Sequence, residues 1–246
     1  MNRIVYAMAA VLVFVEPART ETPTSVWPKH VLAEGFVTQT AVAADFTGDG
    51  GIDVIASDIT AGNEKLILYI GPNWKPVVLA GAIRTIYAVA LDVNRDGRTD
   101  VIGARYHPGL IYWLEQPKDA LHDAWTYHVV DDAAAGGADG VHGLLVDDVD
   151  RDGSPDLVGS SGQPNGPMKD AIVWYSIPKG QKAHKPWPRF ALANGDAPGL
   201  SHYVALADVN GDGRPDVASA AKDSPGGNWF AYWEQSKQAR HPGSSI

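Results

Sequence analysis

A nine-residue pattern, Asp-x-(Asp/Asn/Thr)-x-Asp-Gly-x-x-Asp, occurs four times in this chain of 246 residues, each time between two short apolar segments. The copies are Asp45-Thr47-Asp49-Gly50-Asp53, Asp92-Asn94-Asp96-Gly97-Asp100, Asp148-Asp150-Asp152-Gly153-Asp156 and Asp208-Asn210-Asp212-Gly213-Asp216. Oxygen-bearing side chains at positions 1, 3, 5 and 9 can wrap a hard cation, and glycine at position 6 permits the turn that gathers them. Calcium takes six to eight oxygens at about 2.3–2.6 Å, so each loop is a candidate calcium site, up to four in all. A single copy could be an Asp-Gly turn whose carboxylate caps backbone N–H groups. That reading needs one or two aspartates, not four oxygen ligands in register.

Charge is concentrated at these loops. The formal charge is -9, and thirteen carboxylates stand at motif positions, so the remainder of the chain is mildly basic. Two like charges 4 Å apart repel by about 1 kcal/mol in water and by more near a protein surface. A divalent ion among them turns that repulsion into cohesion. Arg95, Arg98, Arg151 and Arg214 stand at loop positions 4 or 7 and offset only part of it. No basic surface suited to nucleic acid is evident. The chain has no cysteine, so it has no disulfide staples, and metal clips are expected to take their place.

At the N-terminus, Arg3 precedes an apolar run from Ile4 to Val15 and then Glu16-Pro17-Ala18-Arg19-Thr20. This is the layout of a signal peptide, residues 1–20, and the apolar run is too short to span a bilayer comfortably. No other segment could cross a membrane, so the expected location is secreted or periplasmic. With 45% hydrophobic residues, the remaining 21–246 can bury a substantial core.

The repeat extends beyond the acidic loops. An apolar strand precedes each one (41–44, 88–91, 144–147, 204–207), and a second follows it (54–56, 101–103, 157–159, 217–219). A third comes next (66–70, 110–114, 171–176, 229–233), and no segment shows a long helical period. A fourth is marked by a tryptophan three residues upstream: Trp74 before 77–79, Trp125 before 128–130 and Trp187 before 190–192. Trp27, before 30–32, opens the series ahead of any acidic loop, whereas the last unit ends after its third strand. Four-stranded antiparallel units at intervals of roughly 50 residues predict an all-β fold, a β-propeller. Four blades suit the length, closed by pairing of the N-terminal strand Lys29–Glu34 with the last unit. The same pattern suits a fragment of a larger propeller. The tryptophans are expected to pack between blades.

At the acidic loops the chain resembles the VCBS/FG-GAP repeat family of extracellular propellers, and the calcium loops of integrin α-subunit propellers. The stretch Val204-Ala205-Leu206-Ala207-Asp208-Val209-Asn210-Gly211-Asp212-Gly213-Arg214-Pro215-Asp216-Val217 carries the likeness most fully, and residues 27 to 235 share it. The literal Phe-Gly and Gly-Ala-Pro triplets are missing, which places the chain on the VCBS side. The resemblance implies calcium between the first and second strands of each blade. It also implies a backbone carbonyl ligand at position 7, from Gly51, Arg98, Ser154 and Arg214. Family members commonly have seven blades.

Chemistry beyond metal binding has one hint. His142 and His202 stand six residues before Asp148 and Asp208, at equivalent places where the innermost strands enter a central funnel. There they could bind a transition metal, act as acid and base on a sugar, or stand as polar residues held by backbone carbonyls. His30 and His128 fall on outer strands and are expected at the surface. No carboxylate pair for glycoside cleavage can be argued, since nearly every candidate aspartate belongs to a loop and none of the six glutamates is paired with another carboxylate. No nucleophile elbow, zinc-protease helix or phosphate loop is present. The primary expectation is an exported, calcium-stabilised module that binds a glycan or an extracellular protein. Its contact face would be the insertions Gln163–Asp170 and Ser176–Pro188. The alternative is a carbohydrate-active enzyme of lyase or dehydratase type, centred on His142 and His202.

Overall fold

A computed structural model describes residues 27–161, 168–198, 200–222 and 228–236. The chain divides into two units, Met1–Ala33 and Glu34–Ile246. The signal-peptide reading of residues 1–20 lies outside the described residues. Within the first unit, residues 27–33 form no strand and Trp27 is 90% exposed. The expected N-terminal strand Lys29–Glu34 is therefore not formed, and the ring closure that depended on it is not seen.

Among the described residues of the second unit, the regular structure is almost all strand, in four antiparallel sheets. Sheet 1 holds β1 (Ala41–Ala44), β2 (Asp53–Asp58), β3 (Lys65–Ile70) and β4 (Lys75–Gly81). Sheet 2 holds β5 (Tyr87–Leu91), β6 (Asp100–Arg105), β7 (Leu110–Glu115) and β8 (Thr126–Asp132). Sheet 3 holds β9 (Leu144–Asp147), β10 (Asp156–Ser161), β11 (Ala171–Ser176) and β12 (Arg189–Asn194). The last sheet has three strands among the described residues, β13 (Leu200–Ala207), β14 (Asp216–Lys222) and β15 (Trp229–Trp233). Each sheet is a meander in chain order. The first strands of successive sheets lie together, β1 on β5, β5 on β9 and β9 on β13. That is the propeller arrangement, with first strands innermost. Two short 3-10 helices, Ala133–Ala135 and Gly180–His184, interrupt the connections.

Alternation along each strand explains why the third strands read as unbroken apolar runs. Successive side chains point to opposite faces, and in an inner blade both faces meet a neighbour. On β7, Ile111 and Trp113 join the core shared with sheet 3, whereas Tyr112 and Leu114 join the core shared with sheet 1. On β11, Val173 and Tyr175 face sheet 2, whereas Ile172 and Trp174 face the last sheet. Trp113, Trp125, Trp174 and Trp187 are buried in these inter-sheet cores as expected, with Trp229 and Trp233 packed against the third. Close approach also limits residue choice. A Cβ on Gly103 would lie 2.3 Å from the Tyr112 ring, so that face of β6 has to be bare.

Polar ties cross the same seams. Asp131 at the end of β8 accepts from the Tyr175 hydroxyl at 2.5 Å and from Arg189 at 2.7 Å, joining sheets 2 and 3. The amide of Gln116 donates to the carbonyl of Phe46, and that of Gln235 donates to the carbonyl of Val149 at 2.8 Å. Both glutamines directly follow or closely follow a third strand, and both reach position 2 of the preceding sheet's acidic loop. By contrast, Phe230 on the outward face of β15 is 89% exposed. Truncating Ile102, fully buried, to alanine should cost about 2–5 kcal/mol of stability. Phe230→Ala should change it by no more than about 0.5 kcal/mol. Urea denaturation of the two variants measures the contrast.

Candidate metal centres

The acidic loops share one backbone course. Position 6 is left-handed in all four, with φ of 85° at Gly50, 88° at Gly97, 80° at Gly153 and 84° at Gly213. A Cβ on Gly50, Gly97 or Gly153 would meet nothing within 4 Å, so the demand for glycine is torsional, not spatial. Position 4 is left-handed as well, although Arg95 and Arg151 occupy it in two loops. These turns aim successive N–H groups at the first aspartate. Asp92, Asp148 and Asp208 each accept from the N–H groups of positions 5 and 6, at 2.8–3.0 Å. Asp45 accepts from Gly48 and Gly50, and the Gly50 N–H does most to hold its carboxyl below the usual range.

The ninth residue clasps the base of the loop. Asp53, Asp100, Asp156 and Asp216 are all buried, and one oxygen of each accepts the position-2 N–H at 3.0 Å. In three of them the other oxygen accepts the first or second N–H beyond the third strand: Gly71 at 3.0 Å, Gln116 at 2.8 Å and Gln235 at 2.9 Å. Desolvation pushes Asp100 up to about 7, against its two N–H donors and with Asp96 and Asp92 adding to the rise. Asp156 is likewise raised by desolvation to about 7, with the charge of Asp150 next in effect. Nearby positive charge would relieve both.

The loops differ in how their remaining oxygens are engaged. In the third, Asp148, Asp150 and Asp156 offer oxygens within 4.8 Å of one another. In the second and fourth, the position-7 arginines, Arg98 and Arg214, pair with the position-5 carboxylates of Asp96 and Asp212. Their Nε atoms donate to the carbonyls of Gln116 and Gln235, each at 2.9 Å. These arginines therefore clamp loop to strand, a role beyond the partial charge relief expected from their position. Asn94 and Asn210 also donate to those carboxylates, at 2.9 and 3.2 Å. Two buried hydroxyls among the described residues have no hydrogen-bond partner, Thr47 Oγ1 and Ser154 Oγ, and both belong to acidic loops. Such orphaned oxygens suit a cation, which needs acceptors and no donors.

A second cluster was not foreseen from the sequence. His128 Nε2 and His184 Nε2 both lie against one oxygen of Glu115, at 2.9 and 3.0 Å, and the side chains are 20–26% exposed. Trp113 stacks on both imidazoles, with ring centroids 4.3 and 5.7 Å away. Burial works to raise Glu115, but the two histidine hydrogen bonds outweigh it and hold the carboxyl below its usual range. One expectation is corrected here. His128 is not a plain surface residue, because the β7–β8 register sets it opposite Trp113. Period-2 alternation puts Glu115 on the same Trp113 face, where it meets both imidazoles. The insertion Ser176–Pro188 is also partly structural, since Ala183 and Trp187 are buried and carry His184 onto sheet 2. Part of the other insertion, 162–167, lies outside the described residues.

The funnel histidines are not brought into one described site. His142 packs against Tyr106 with ring centroids 4.4 Å apart. The His202 side chain lies outside the described residues. The clasp at the ninth position is open to test in metal-free buffer. Asp53→Ala leaves the buried N–H of Phe46 and the partly buried N–H of Gly71 without an acceptor and should cost about 2 kcal/mol or more. Asp53→Asn, which keeps one carbonyl oxygen, should cost less, as read by chemical denaturation.

No helix among the described residues is long and apolar enough to cross a membrane. Compared with the curated proteins, the chain finds no match. The family model of the FG-GAP-like repeat matches residues 92–159 and 148–219, together more than half of the chain. Each match runs from the acidic loop of one sheet into the second strand of the next, the unit that recurs in the fold, and so the chain belongs to the FG-GAP-like repeat family.

Proposed function

We propose that this protein is an exported β-propeller module that holds calcium in its acidic loops and binds a glycan or an extracellular protein. The observation that carries the metal reading is the third loop. There Asp148, Asp150 and Asp156 converge within 4.8 Å, and Ser154 Oγ is buried without a partner. Three carboxylates so close repel unless a cation lies among them. The ligands would be the side chains of Asp148, Asp150, Asp152 and Asp156 with the Ser154 carbonyl. The equivalent sets are Asp45, Thr47, Asp49, Gly51 and Asp53; Asp92, Asn94, Asp96, Arg98 and Asp100; and Asp208, Asn210, Asp212, Arg214 and Asp216.

The loops are not equal in this reading. At the second and fourth, a bound ion shares its position-5 carboxylate with an arginine, which weakens the local attraction. The third loop has Ser154 in place of that arginine and is the tightest site. Calcium here is structural, because it joins the end of one strand to the start of the next on a scaffold without disulfides. Binding then falls to the connections between strands, as is usual for loops on a rigid frame.

Affinities of about 10⁻⁴–10⁻³ M are typical of extracellular calcium modules. Calcium at about 100 times Kd should add about 2.7 kcal/mol per site, and EDTA should lower the melting temperature reversibly. In calorimetric titration, Asp148→Ala should remove the tightest calcium step and leave the others. A melting temperature indifferent to both calcium and EDTA would sink the metal reading. A glycan array probed with and without EDTA tests the partner class, with a calcium-dependent hit expected if the partner is a glycan.

A further inference from the structure

Between sheet 2 and the connection that joins β11 to β12, the geometry points to a transition-metal site: Glu115, His128 and His184 form a two-histidine, one-carboxylate centre for zinc or a similar divalent ion. The three ligand atoms lie within 4.8 Å of one another. Both histidine Nε2 atoms meet the same Glu115 oxygen, at 2.9 and 3.0 Å. In a tetrahedral zinc site, with ligand bonds of about 2.0–2.2 Å, neighbouring ligand atoms stand about 3.4 Å apart. The three groups therefore need only to part slightly around an ion. Imidazole nitrogen and carboxylate oxygen are also the ligand types zinc prefers, whereas the all-oxygen acidic loops suit calcium.

The surroundings are built to hold these groups in place. Cross-strand pairing seats His128 on Trp113, and the 3-10 turn Gly180–His184, anchored by buried Ala183, brings His184 over the same indole. The two imidazoles stack with centroids 4.9 Å apart. Asn94 Nδ2 donates to the second Glu115 oxygen at 2.8 Å, which orients the carboxylate from outside, as outer-shell partners of metal ligands do. Three protein ligands leave a fourth position for water, and the partial exposure of all three side chains admits it. The ion would also join sheet 2 to the sheet 3 insertion, beside the second acidic loop.

The test uses the full chain with saturating calcium, so that the acidic loops are filled and zinc has to bind elsewhere. Calorimetric titration with zinc alone should then show one equivalent. Cobalt(II) alone should give the visible absorption of a four- or five-coordinate site. His128→Asn and His184→Gln, which keep a donor for Glu115, and Glu115→Gln should each weaken zinc binding by at least about tenfold. The tight calcium step should be unchanged in the two histidine variants. No zinc equivalent in the unaltered protein would overturn the proposal. So would a zinc equivalent that survives both histidine replacements, or one lost on Asp148→Ala instead.

Discussion

At the base of every acidic loop a buried aspartate accepts the main-chain N–H of loop position 2. In three of the four it also accepts an N–H just beyond the third strand. One carboxylate thereby ties the exit of the first strand to the start of the second and the end of the third. Four of these bonds are buried and the rest partly so, and a buried N–H without an acceptor has no water to turn to, so the clasp cannot be dropped without a cost. Its own burial carries a cost in turn, seen in the raised Asp100 and Asp156. The loop above, with its left-handed turns and converging oxygens, is built on that clasp.

From the clasp the rest of the blade follows. In sheet 2 it ties β6 to the end of β7, and there, as in β10 and β11, alternate side chains face two neighbours at once. The middle strands of the inner sheets are thus buried on both faces, and the indoles of Trp113 and Trp174 fill opposite seams. Gln116 and Gln235 start from the same place as the clasp and reach the loop of the preceding sheet. Loop, strand and inter-sheet contact are thus one mechanical unit, which is why the repeat is the unit of both the fold and the family match.

Much of this could be read in the chain. Aspartates at fixed spacing with a glycine between them fixed the loops, because few side chains satisfy that turn. Short apolar runs on either side marked the third strands and three of the first strands nearly to their ends, and only the middles of the second and fourth. Arg98 and Arg214 were harder to judge. Position 7 says only that a charge is near, and whether a guanidinium meets the Asp96 or Asp212 carboxylate depends on the turn that folds it back. Lys29–Glu34 had the look of a fourth strand, yet a strand exists only where an edge receives it, and pattern alone does not supply one.

The cluster at Glu115 shows the division most clearly. Sequence by itself determined that Trp113 and Glu115 share a face, through the two-residue period of a strand, and that four loops carry cation-type oxygens. Tertiary structure alone decided that His128 lies opposite Trp113 and that His184, far along the chain, arrives over the same ring. Local spacing encodes what a turn or a strand must do, since those constraints act within a few residues. Contacts between distant segments depend on how sheets pack and where an insertion comes to rest, and no short-range pattern records that.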